Sequence, residues 1–137
     1  MSYLIDTNVL SELRKRQPDA NLVAWVQART RESLYLSVLS LGEIRKGVEG
    51  VADAAFRRTL TDWLEIELPR YFLGRILDVD APVADCWGCL QAGAGRTLPV
   101  IDALLAATAV QHHLTLVTRN IKDFEGLGVA LVNPWQA

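Results

Sequence analysis

The sequence predicts an α/β fold built on a parallel sheet, and three observations point there. Short apolar runs of β-compatible residues alternate with longer segments of helical periodicity. A length of 137 residues suffices for one real hydrophobic core but not comfortably for two. No repeat, low-complexity tract or long linker divides the chain, so residues 1–137 are expected to form one domain with about five strands flanked by helices.

Tyr3-Leu4-Ile5 reads as a short buried strand, and Thr7–Leu13 as the helix after it, ended by a charged loop and Pro18. Asn21–Ala28 carries Leu22, Val23, Trp25 and Val26 at roughly helical spacing. Leu34-Tyr35-Leu36-Ser37 is a second strand. A helix is expected to start at Ser40 and run to about Gly50. Asp53–Leu68 is a longer helix, with Phe56, Leu60, Trp63, Leu64 and Glu67 three and four apart, and Pro69 is expected to stop it. Ile76-Leu77-Asp78 is a brief third strand. Ala81–Ala94 is a helix with Pro82 in its tolerant first turn. Pro99 pre-sets the helix Val100–His113, and strands at Leu114–Val117 and Val129–Val132 complete the pattern.

Half of the residues are hydrophobic and 22% are charged, which excludes wholesale disorder. The formal net charge is -2 and the pI about 5.6, so any contact with a polyanion must be local. Basic spots are Arg14-Lys15-Arg16, Arg45-Lys46, Arg57-Arg58, and Arg119 with Lys122; each can equally be a solvated helix face. Met1-Ser2 leads directly into the first strand, without a basic segment or long apolar core of a secretory leader. No apolar stretch approaches the ~20 residues of a membrane helix. A soluble cytoplasmic protein that makes no membrane contact is expected. The pair Cys86-Trp87-Gly88-Cys89 falls inside a predicted helix with both cysteines partly buried, which favours a structural role over redox or metal chemistry.

The chemistry concentrates in four acids placed where the chain changes direction. Asp6 closes the first strand, Glu43 follows Leu34–Leu41, Asp102 opens the apolar run Ala103–Val110, and Asp123 comes shortly after the fourth strand. In open α/β sheets, ligands bind beyond the carboxyl ends of the strands, and all four acids can face that edge. Each has an ordinary structural explanation. Ser40-x-x-Glu43 matches a capping box. Asp102 suits a helix N-terminus, and Asp123 can cap a turn before Phe124. Asp6 has the weakest such excuse. Gathered at one edge, the acids repel by about 4 kcal/mol per pair at ~4 Å and an effective dielectric near 20. A cation resolves that repulsion, and all-oxygen ligands select Mg²⁺ or Mn²⁺. Such an ion keeps positions open for a substrate phosphate and supplies an activated water. Thr7 and Asn8 can hold Asp6, while Thr118 and Asn120 can hold the Asp123 loop or meet phosphate.

Four segments also carry a family likeness. They are Tyr3-Leu4-Ile5-Asp6-Thr7-Asn8-Val9, Ser37 to Gly47 around Glu43, Pro99 to Ala109 around Asp102, and Leu116 to Phe124 with Thr118, Asn120 and Asp123. Together they resemble the PIN-domain ribonucleases, and within them the VapC-type toxins of bacterial toxin–antitoxin pairs, in the FitB-like subgroup. The likeness extends to Gly128–Trp135, essentially the whole chain. It implies a PIN-like α/β/α domain, endoribonuclease activity dependent on Mg²⁺ or Mn²⁺, a homodimer, and inhibition by a cognate antitoxin in a higher assembly. The family's acids fall on Asp6, Glu43, Asp102 and Asp123, and its hydroxyl and amide helpers on Thr7, Asn8 and Thr118. Asp6 and Asp102 are the expected direct metal ligands; Glu43 is a ligand or water orienter, and Asp123 completes the set. Apolar helix faces that include Trp25 and Trp63 serve either the core or a contact with a second copy or the antitoxin.

Three other readings use similar residues. A signalling receiver also surrounds Mg²⁺ with acids, but it needs paired acids after the first strand, where Asp6 stands alone; Ile76-Leu77-Asp78 matches its phospho-accepting position poorly, and Lys122 is the only late lysine. A phosphatase of the haloacid-dehalogenase type needs an acid where Asn8 stands. A non-catalytic module with the same fold would be expected to have lost one of the acids.

Overall fold

The computed structural model describes residues Met1–Gln136. Five strands form one parallel sheet: β1 (Tyr3–Ile5), β2 (Leu34–Ser37), β3 (Ile76–Leu77), β4 (Thr115–Val117) and β5 (Leu131–Val132). Their spatial order is β3-β2-β1-β4-β5. The chain therefore builds outward from β1 on one side, then crosses to β1's other side for β4 and β5. Ligand sites form at such a reversal, outside the carboxyl ends of the central strands. The register there is Leu4 opposite Leu116 and Ile5 opposite Val117, so the next residues, Asp6 and Thr118, emerge side by side.

Strand side chains alternate between two cores. Tyr3, Ile5 and Leu36 face one side, where Val9 and Leu10 of α1 (Thr7–Leu13), Leu22 and Trp25 of α2 (Ala20–Gln27) and Ile44 and Val48 of α3 (Val38–Glu49) pack. Leu4 and Leu116 face the other, against Ala103, Ala106 and Ala109 of α7 (Val100–Gln111), with Phe124 beneath. The remaining helix of that face, α6 (Ala81–Gly93), lies alongside α7. The alanine stripe lets α7 approach the sheet closely, and this fixes the depth at which Asp102 sits.

Helix ends shift by a residue or two from expectation at several places, and two of the differences have a clear physical cause. The capping box proposed at Ser40 does not form. α3 starts at Val38, and Ser37 is its cap, its Oγ accepting from Leu39 N at 3.0 Å. β2 runs straight into this helix, so the chain turns earlier than the apolar pattern implies. Ser40 is fully buried, and its hydroxyl has no partner. Ser40→Ala is therefore expected to be neutral or stabilising by about 1 kcal/mol in urea unfolding, because a buried unpaired hydroxyl costs and Ala favours helix. A loss of about 1 kcal/mol would instead mark a working cap.

Pro69, in turn, does not stop its helix. α4 (Ala54–Asp62) passes through a π-helical segment at Trp63–Glu67 into α5 (Leu68–Tyr71). The Leu68 N–H reaches back to the Trp63 carbonyl, a five-residue step. The widened turn makes room for the Pro69 ring, which would collide with the carbonyl four residues back in a regular α-helix. Trp25 belongs to the core, edge-on to Tyr3 at 4.9 Å, whereas Trp63 is half-buried. Cys86 is half-buried as expected, but Cys89 is exposed because it sits on the outer side of α6. No helix among the described residues is long and apolar enough to cross a membrane.

Candidate active site

Asp6 is the N-cap residue of α1, yet its carboxylate does not cap that helix. It turns toward β4. Oδ2 accepts from Thr118 Oγ1 at 2.8 Å and from Asn8 Nδ2 at 3.4 Å. Asn8 Nδ2 also donates to Thr118 Oγ1 at 3.3 Å, and Asn8 Oδ1 accepts from Arg119 N at 3.4 Å. Thr118 Oγ1 further accepts from Asn120 N at 3.1 Å. One hydroxyl thus ties the end of β1 to the loop after β4. Thr118 is fully buried and Asp6 is 8% exposed, so this bond lies out of water where a missing partner is costly. Thr118→Val keeps the shape and removes the hydroxyl. Loss of about 1–3 kcal/mol in denaturant unfolding is expected, with a 10–100-fold fall in metal affinity by titration calorimetry. Unchanged metal affinity would release Thr118 from that role.

The other acids approach from separate helices. Glu43 is in the second turn of α3, exposed, and Thr7 Oγ1 donates to its Oε1 at 2.7 Å. Asp102 is in the first turn of α7 and half-buried. Both line an open cleft of about 440 Å³ together with Asp6, Thr7, Asn8 and Asn120. Asp123, in a short 3-10 turn at Ile121–Phe124, is exposed and outside the cleft lining, but its charge is felt by Asp102. Asp78 and Lys122, the receiver-like positions, are also outside it.

The electrostatics of the cleft suit a cation. Burial pushes the Asp6 carboxyl up to about 6; its hydrogen bonds to Thr118 and the Thr7 backbone oppose that, and the charges of Glu43 and Asp102 add to it. Asp102 is likewise held above the ordinary carboxylate range, by burial first and then by Asp123 and Glu43. Among the described residues, no three acids, histidines or cysteines are gathered closely enough to cage an ion by themselves. A Mg²⁺-type ion does not require a cage: it usually takes one or two carboxylates and keeps several waters. Hard oxygen donors, carboxyls destabilised by burial and then by one another, and an open cleft therefore fit such a cation.

Ser11, Glu12 and Trp135 also line the cleft, and the sequence did not single them out. The first two are one helical turn beyond Thr7 and Asn8, so helix spacing alone could have found them. Glu12 is buried and pairs with Lys15 Nζ at 2.8 Å while accepting from Asp19 N. Trp135 is brought in by the chain end; its backbone N–H donates to Asn133 Oδ1, and the Arg119 guanidinium lies 5.3 Å from the centre of its ring. Lys15 and Arg119, which the sequence marks only as members of basic spots, stand on the cleft walls.

Comparison with known proteins agrees with this architecture. The chain is 38% identical over 135 residues to Toxin FitB of Neisseria gonorrhoeae, covering 96% of this chain and 97% of that protein. It is 35% identical over 136 residues to VapC ribonuclease Y4jK of Sinorhizobium fredii, covering 97% of each. Among solved structures, FitAcB from Neisseria gonorrhoeae superposes with a TM-score of 0.92 at 36% identity, over 98% of this chain and 99% of that one. The profile of the PIN domain matches residues 3–128. This chain belongs to the PIN-domain family.

Proposed function

We propose that the chain is an endoribonuclease dependent on Mg²⁺ or Mn²⁺, acting as the toxin of a toxin–antitoxin pair. Asp6 carries this reading: a buried carboxyl, fixed by Thr118 and Asn8 and forced toward protonation beside Glu43 and Asp102, is what a cation site looks like from its protein side. The relatives' names support the activity, since one is called a toxin and another a ribonuclease. The similar structures include FitAB bound to a DNA fragment and VapBC2 from Rickettsia felis bound to a promoter fragment. They support a cognate antitoxin, and a larger assembly with it, as this chain's partner.

In this reading Asp6 and Asp102 hold the cation, which when bound supplies a polarised phosphoryl oxygen and an activated water. Glu43, kept in orientation by Thr7, ligates or accepts the proton of the attacking water. Asp123 acts through its charge on Asp102. Thr118 and Asn8 keep Asp6 aimed into the cleft, and Asn120 extends that frame toward the substrate. Arg119 and Lys15 offer local positive charge to RNA phosphates on a protein whose overall charge is -2. The functional unit is the whole chain, 1–137, in the cytoplasm and as a homodimer.

The test is induction of the protein in bacteria with and without the neighbouring open reading frame, followed by mapping of RNA 5′ ends. Growth arrest with new, discrete ends, both suppressed by the antitoxin, is the expected result. Arrest with intact RNA would sink the nuclease reading.

A further inference from the structure

A second groove, of about 350 Å³, runs between α1, α3 and α4 beside the acid cleft. It shares Thr7, Ser11, Lys15 and Glu43 with that cleft, so the two form one continuous depression. Its character changes along its length. The end at the acids is polar, and the far end is walled by Phe56, Leu60 and Trp63. Phe56 is 52% exposed and packs in neither core cluster. Among the described residues it is the one aromatic side chain in the set of exposed large hydrophobics.

The groove is built rather than incidental. α3 is tied to α4 by Arg57 to Glu49 at 2.7 Å and to the π-helical segment by Arg45 to Glu65, and Arg45 also pairs with Glu49 within α3 at 3.7 Å. Single exposed pairs contribute little, but a network shares its ordering cost among its members. Two cations line the groove. Arg14 lies 5.1 Å from the centre of the Trp63 ring and lines the groove, and Lys15 stands where groove meets cleft.

We propose that this groove receives a nucleobase flanking the scissile phosphate of single-stranded RNA, with Phe56 as its stacking platform. The inference rests on the nuclease reading above. A strand whose phosphate lies at the acids must send its neighbouring bases along the surface, and the depression from Glu43 to Phe56 is continuous with that position. A track with Lys15 at its junction with the cleft, Arg14 on its wall and an exposed aromatic ring at its far end is complementary to a polyanion with π faces. Unpaired bases, unlike those in a duplex, can be splayed onto such a ring.

The experiment uses the full chain in EDTA, so that binding is read without cleavage. Fluorescence anisotropy follows a labelled uridine-rich RNA of about ten nucleotides. Phe56→Ala is expected to weaken binding about tenfold, within the range for one base stacked on an aromatic ring, while Phe56→Trp stays within about twofold of wild type. An abasic nucleotide moved along the RNA should cost wild type about tenfold at one position and cost Phe56→Ala almost nothing there. That coupling also separates lost stacking from a damaged fold. If wild type binds and cuts RNA but Phe56→Ala binds as well, or shows the same abasic penalty, the base subsite is wrong and the nuclease reading stands. The subsite is equally overturned if Phe56→Ala weakens only antitoxin binding or self-association. If wild type neither binds nor cuts any RNA, the nuclease reading itself fails.

Discussion

Asp6→Asn is expected to abolish cation-dependent RNA cleavage and, in metal-free protein at pH 8, to raise the melting temperature. The two effects have one cause. Asp6 is buried and its carboxyl is pushed from 3.8 to about 6. A folded-state value above the unfolded one means the folded protein binds the proton more tightly. The associated stability is present below about pH 3.8, falls as pH rises through 6, and is absent above it. The shift corresponds to at most roughly 3 kcal/mol of strain carried at pH 8. Asparagine has no charge to desolvate and can still present an oxygen to Thr118. Its advantage should appear at pH 8 and shrink at pH 4. Cleavage should fall about a thousandfold, because a ligated cation contributes several kcal/mol to the transition state and 1.36 kcal/mol is tenfold. A variant that cuts RNA at the wild-type rate would remove Asp6 from the site. One that melts no higher than wild type at pH 8 would show that the carboxylate is not strained.

Removal of divalent cations is the second large effect. Chelator-treated protein is expected to lose RNA cleavage, and Mg²⁺ or Mn²⁺ should restore it. The same ions should raise the melting temperature, because a ligand that binds only the folded state adds about 2.7 kcal/mol at one hundred times its dissociation constant. The rise should be larger at pH 7.5 than at pH 5, since a cation and a proton compete for Asp6. It should vanish in Asp6→Asn and shrink in Asp102→Asn. Asp123→Asn should change it least, because Asp123 is exposed and outside the cleft lining. Full cleavage by metal-stripped wild type in excess EDTA would overturn the metal requirement.

The site was legible to differing degrees. Asp6 stands out in the sequence because an acid directly after three apolar residues lacks a ready structural excuse, and it proves to be the buried, strained member. Glu43 was legible as one of the four acids, and its ordinary structural explanation does not hold. It looked like the partner of Ser40 in a capping box, but Ser37 caps the helix, and Glu43 instead accepts from Thr7, 36 residues away in the chain. Glu12 and Trp135 were not legible as cleft residues. A charged helix residue and an aromatic near the chain end have many ordinary explanations, and only packing brings them to one wall. Pro69 misled for a similar reason: the rule that proline ends a helix holds for α-geometry, and five residues of π-helix relieve it.

The sequence alone determined the local facts. The apolar runs and helical periods set which segments become strands and helices, because those preferences depend on residues within a few positions. The four acids and their helpers also marked the chain as a member of its family. Only the tertiary structure decided which of these residues act together. β1 and β4 are joined by register across more than a hundred residues, and that pairing puts Thr118 against Asp6. The desolvation that strains Asp6, the distance of Asp123 from the cleft and the run of the groove out to Phe56 follow from the same placement. Burial and electrostatic coupling are properties of what surrounds a residue, and in a parallel sheet with crossovers those surroundings come from distant parts of the chain.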